Sequence, residues 1–186
     1  MSDDPNSLPR LLEAPALAGV ATDTSLFCVI DAASDERIYP ALRGFAAKER
    51  IVPLYQGTAA TQLAAVAPYL VEPMTNGALL PWLFDELADI DWGILVWSAS
   101  PLDEVHRHFR RLGRVRTQDG RMLLFRYYDP RVLATFLPIC DAAQLEELFG
   151  PIALFGAAAS GTSEIMLFAC TSGTLRQIPM PLESAG

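Results

Sequence analysis

A chain of 186 residues and 20.3 kDa is one domain long, or one domain with a small second lobe. Hydrophobic residues make up 51% and charged residues 19%, with mean hydropathy +0.24. That excludes intrinsic disorder, while 12 Gly and 14 Pro without a period exclude collagen-like and low-complexity classes. The net charge of −8, from 22 acids against 14 bases, argues against a nucleic-acid binder, whose affinity comes from neutralising phosphates.

Residues 1–24 read as a weakly structured leader with room for one short helix. Acids at Asp3 and Asp4 stand where a signal peptide has Lys or Arg, and Pro9, Glu13 and Pro15 break the apolar run. No stretch approaches 18 apolar residues, so no membrane span is expected. The first firm element is the apolar run 26–30 (LFCVI), a buried strand ending at Asp31. Ser34 then offers an N-cap for a helix through Tyr39, Leu42 and Phe45. Residues 51–55 (IVPLY) predict a strand that Pro53 confines to an edge or a bulge. A helix capped by Thr58 must end before Pro68, and 69–71 are extended.

Residues 79–88 predict a helix and 92–97 (WGILVW) a buried strand. Ser100 as N-cap and Pro101 at the first position start a helix with Leu102, Val105, Phe109 and Leu112 on one face. A hairpin joins 114–116 to 122–128 through Gln118-Asp119-Gly120. Asp129-Pro130 opens another helix, and Asp141 with Gln144 a further one that Gly150-Pro151 ends. Two extended runs, 164–170 and 175–178, follow. The fold class is α/β: a mixed central sheet flanked by helices, with residues 25–151 as the main domain and 152–186 as a small C-terminal lobe of short strands.

No catalytic, cofactor or metal site assembles from the residue types. Residues 156–163 approach a phosphate-binding loop, but Thr162 replaces the lysine that would reach the phosphates. Ser160 lacks the glycines of a nucleophile elbow. The two histidines, His106 and His108, diverge by about 200° around their helix and cannot share a metal from one face. Cys28, Cys140 and Cys170 are dispersed and read as reduced, packed thiols of a cytoplasmic protein. Asp31, at a strand end where α/β folds bind ligands, is the most active-site-like acid. A small hydrolase centred on it is the alternative function.

Charge distribution departs from expectation in one place. Eight of the 14 bases fall within residues 107–131, offset there only by Asp119 and Asp129. Arg107, Arg110 and Arg111 lie opposite the Leu102/Val105/Phe109 stripe and are expected to face outward with Arg114 and Arg116. They form either a solvated face or a docking surface for an acidic protein partner, since arginine is enriched at interface hot spots.

Three segments carry a resemblance: FCVIDAASDERIYPALRG (27–44), VPLYQGTAATQLAAVAPYLVEP (52–73) and the run from WGILVWSASP to LEELFGPI (92–152), with YYDPR (127–131) its most specific part. Together they resemble the bacterial type VI secretion adaptor, or effector-chaperone, family over roughly residues 25–155. The resemblance implies a cytoplasmic protein without enzymatic activity that binds a cognate effector and helps load it onto a VgrG or PAAR spike without being secreted. Effector and spike are the implied partners, with no nucleic acid, membrane or cofactor. Within the motifs, Asp31, Tyr128, Asp129, Pro130 and Arg131 are expected to be structural, Asp129 capping the helix that Pro130 begins.

Overall fold

The computed structural model describes residues 7–46, 49–74, 77–116 and 122–182. In chain order these form α1 (Ser7–Ala18), β1 (Ser25–Asp31), α2 (Ile38–Phe45), β2 (Arg50–Pro53), α3 (Thr58–Gln62) with a 3-10 turn (Ala64–Val66), β3 (Pro68–Glu72), α4 (Leu79–Glu86) and β4 (Gly93–Ser98). Then come α5 (Leu102–Leu112), β5 (Arg114–Arg116), β6 (Met122–Leu124), α6 (Pro130–Phe136), a 3-10 turn (Leu137–Ile139), α7 (Ala142–Phe149), β7 (Leu154–Ala158), β8 (Glu164–Thr171) and β9 (Thr174–Pro181).

Seven strands form one sheet in the order β2-β3-β1-β4-β7-β8-β9, and β5-β6 make a separate hairpin. The side chains of β1 and β4 alternate between two cores, as the two-residue period of a strand requires. Cys28, Ile30, Leu95 and Trp97 face α1, α2 and α4, whereas Phe27, Val29, Ile94 and Val96 face α5, α6 and α7. Because both faces are covered, these strands read as unbroken apolar runs. At the centre, Gly93 has φ +154° and its α-carbon lies so close to β1 that a Cβ would sit 2.0 Å from the Val29 carbonyl oxygen.

The α/β class is the expected one, with helices on both faces of the sheet. Every pairing in that sheet is antiparallel, so the described strands contain no parallel pair of the kind a mixed sheet would hold. Strand direction depends on how the chain returns between elements, which periodicity does not record. Strands β7, β8 and β9 of the C-terminal segment continue this sheet beyond β4. Within the leader, α1 buries Leu11, Ala14 and Ala18, and the Trp97 indole N–H donates to the Leu11 carbonyl at 3.0 Å. The contact from β4, 86 residues away, gives Leu11, Ala14 and Ala18 of the leader a place in the core that a weakly amphipathic sequence did not announce.

Pro53 does fall on an edge strand. Two helix starts lie later than expected. Ser34 donates to the Asp31 carbonyl at 2.8 Å and closes a turn, so α2 begins only at Ile38. Helix α5 has Pro101 as its N-cap, while Ser100 donates its N–H to the Ser98 hydroxyl at 3.1 Å. Asp141 and Gln144 form a reciprocal capping box on α7.

Candidate functional site

Asp31 ends β1 nearly fully buried. One carboxylate oxygen accepts the Ala33 N–H at 3.0 Å and the other accepts from Arg126, 95 residues away. The Arg126 guanidinium also lies 5.8 Å from the centre of the Tyr128 ring, close enough for a cation–π contact. Burial first, then the nearby Tyr55 and Asp31, push the Tyr128 hydroxyl above its ordinary range. Tyr127 stacks on Phe109 with centroids 5.2 Å apart and donates to that residue's carbonyl at 3.1 Å. The aromatic pair thereby fastens the 125–129 segment to α5.

Asp129 caps α6 by accepting the Arg131 N–H at 3.0 Å, and Pro130 takes the first helical position, where its missing N–H costs nothing. The Arg131 guanidinium reaches back to both Asp129 oxygens, at 3.1 and 2.8 Å, and across to Asp91 at 3.1 Å. Asp91 in turn accepts the Ser160 N–H at 2.8 Å. The hydrogen bond from Arg131 holds the Asp129 carboxyl below the usual carboxylate range, against the opposing effect of burial. Asp31, Tyr128, Asp129, Pro130 and Arg131 therefore come together at one end of the sheet. They tie the start of α6 to β1 and to the loop before β4.

The histidines of α5 also bind elements together. A ring nitrogen of His106 lies 2.8 Å from the Pro53 carbonyl of β2, and one of His108 lies 2.9 Å from the Leu148 carbonyl of α7. Each must donate, because a carbonyl only accepts. Burial lowers the His108 pKa, outweighing the hydrogen bond to Leu148. Thr162 and Ser160 lie in the turn between β7 and β8, where the Thr162 hydroxyl donates to the Ala159 carbonyl at 2.7 Å. Among the described residues no three His, Cys, Asp or Glu side chains gather as a metal site would require. Both Asp31 oxygens are engaged, so the geometry adds no support for a hydrolase centred there.

Of the arginines on α5, Arg107 and Arg111 are exposed, whereas Arg110 is half-buried. That corrects the expectation that all three point outward: Arg110 lies one position from the fully buried Phe109 and lines the same groove. Its Nε is buried and has no hydrogen-bond partner among the described residues. Leaving a buried donor unpaired costs about 1–3 kcal/mol. The side chains of Arg114 and Arg116 lie outside what the structure describes. Asp103 and Glu104 in the first turn and Arg110 and Arg111 in the last align α5 with its own dipole. An open depression of about 460 Å³ is lined by Gln56, Arg107, Arg110 and Arg111. Beside it a groove of about 220 Å³ runs between α3 and α5, with Phe109, Tyr127, Leu63 and Arg110 among its lining. Sequence reasoning missed this groove. Phe109 and Tyr127 are 18 residues apart and the α3 wall is more distant still, so no local signal marked it.

Fold and side-chain arrangement define a three-layer α/β domain with an antiparallel sheet, in which the most distinctive charged residues brace helices against strand ends. The family model described as Domain of unknown function (DUF4123) matches residues 26–147. The chain belongs to that family, the adaptor or chaperone family of type VI secretion, whose members are known as adaptors rather than enzymes. No curated protein and no solved structure matches the chain. No helix among the described residues is long and apolar enough to cross a membrane.

Proposed function

We propose that this protein is a cytoplasmic adaptor chaperone that binds a cognate type VI secretion effector and helps load it onto a VgrG or PAAR spike protein. In this reading it is not itself secreted and catalyses no reaction. The observation that carries the reading is the family match, which spans β1 through most of α7 and therefore both cores. The arginines of α5 support it, with Arg114 and Arg116 continuing the same basic stretch. Arg107 and Arg111 are exposed and take part in no ion pair among the described residues, although the chain carries 22 acids. A surface of that kind attracts an acidic partner and speeds encounter at low salt.

The test needs a candidate effector and spike, sought first among the proteins encoded beside this gene. Deleting the gene is expected to abolish delivery of that effector while the spike is still secreted, and the tagged chain is expected to capture the effector and stay in the cell fraction. Undiminished delivery in the deletion strain would overturn the adaptor reading. Reversing Arg107 and Arg111 to Glu is expected to lower the melting temperature by no more than a few degrees, the cost of an acid in the last turn of α5, and to weaken capture, most visibly at low ionic strength. Unchanged capture by that folded variant would return the two side chains to a purely solvating role.

A further inference from the structure

The groove between α3 and α5 has a definite size and chemistry. Its volume of about 220 Å³ falls below the roughly 300–1,000 Å³ of small-molecule sites and suits one or two protein side chains. Phe109 and Tyr127 form a stacked aromatic floor, and Leu63, 46% exposed, forms a wall that carries apolar surface out to solvent. Arg110 lines both this groove and the open depression beside it, where Arg107 and Arg111 join it. Arg126 and Arg131 each hold a carboxylate, yet the buried Nε of Arg110 has no acceptor among the described residues.

Strand addition is a poor alternative at either end of the sheet. The Pro53 carbonyl of edge strand β2 already accepts from His106, and edge strand β9 carries Pro179 and Pro181, which have no N–H to donate. At these two edges a partner is better read through its side chains than through an extra strand.

We propose that the groove is a docking site for an acidic linear segment of a protein partner, one carrying a bulky apolar residue next to an Asp or Glu. The apolar side chain enters between Leu63 and the Phe109–Tyr127 floor. The adjacent carboxylate accepts from the Arg110 guanidinium, which lines both the groove and the depression beside it, and flanking acids face Arg107 and Arg111. Burial of the apolar anchor supplies affinity. The carboxylate supplies selection, because a segment without one covers the half-exposed Arg110 guanidinium and gives its donors no acceptor. The partner class rests on the adaptor reading, whereas the groove and its chemistry do not.

Fluorescence anisotropy on the full chain tests this with three labelled hexapeptides. The first places a Leu-Phe pair among four acids, the second keeps the acids but replaces the pair by Ser-Gly, and the third keeps the pair among Ser and Gln. The first is expected to bind at least tenfold more tightly than the other two. Arg110→Gln and Leu63→Asp are each expected to weaken it at least tenfold with an unchanged melting temperature. Leu63 is half-exposed, so its variant keeps the test decisive if Arg110→Gln perturbs folding. Equal binding of the acid-only peptide, or indifference to both substitutions, would refute the proposal. Effector capture that survives both substitutions would refute the groove and leave the adaptor reading intact. Failure of the unaltered chain to capture any effector would strike the adaptor reading alone, since the peptide comparison does not depend on it.

Discussion

Replacing Asp129 by Ala removes the oxygen that accepts the Arg131 N–H at the start of α6. Losses of such caps cost about 0.5–2 kcal/mol. The accompanying pair with Arg131 adds little, because that side chain is 67% exposed and retains Asp91 as a partner. For a chain of this length each 1 kcal/mol lowers Tm by about 2–4 °C, so the variant is expected to melt a few degrees early at pH 7. The pH dependence separates cap from charge. The Arg131 hydrogen bond holds the folded-state pKa of Asp129 below the ordinary value, so the unfolded chain takes up this proton first as the pH falls. The stabilisation is complete well above the ordinary Asp pKa of about 3.9 and is lost as the pH drops through the depressed folded value. The deficit of Asp129→Ala should therefore narrow in strongly acidic buffer. Asp129→Asn keeps a good capping oxygen and should recover most of the loss at pH 7. Urea melts of the three proteins across that range provide the assay. An Ala variant as stable as the wild type at pH 7, or an Asn variant no better than Ala, would refute the assignment of Asp129 as a cap.

Gly93→Ala should be strongly destabilising, since its Cβ would sit 2.0 Å from the Val29 carbonyl oxygen in the central pair of strands; a cost of about 1–3 kcal/mol or more is read as a lower denaturation midpoint. Trp97→Phe should leave the Leu11 carbonyl without its buried donor, costing about 1–3 kcal/mol, and hydrogen exchange should show α1 losing protection ahead of the sheet. His108 is buried with a lowered pKa, so its unfolded form binds a proton first as the pH falls. Its contribution is complete above about pH 6.5 and declines as the pH falls through the lower folded value. An NMR titration placing the His108 pKa at or above that of a free imidazole would contradict this.

Much of the local structure was legible because its causes are local. The run 26–30 gave itself away as β1 by being apolar on both faces, Pro53 marked an edge by lacking a donor, and Asp141 with Gln144 supplied both halves of a cap. Asp129 before Pro130 is the same kind of signal, complete within three residues. The YYDPR segment could be singled out from sequence, but its contacts and those of the neighbouring Arg126 could not. Arg126 meets Asp31 and Arg131 meets Asp91 across 95 and 40 positions of the numbering, and charge alone does not say which of 22 acids an arginine will find.

Order and direction of the strands, the burial of α1 and the groove between α3 and α5 were decided only when the chain closed on itself. Arg110 shows why. Helical spacing places it beside Phe109 and predicts an outward guanidinium, which is right for Arg107 and Arg111. Its Nε is nonetheless a buried donor, on a residue that lines a groove together with Tyr127 and Ala59 of α3. Periodicity reports which face of an element is apolar; what comes to lie against that face is set by the packing of segments far apart in the chain.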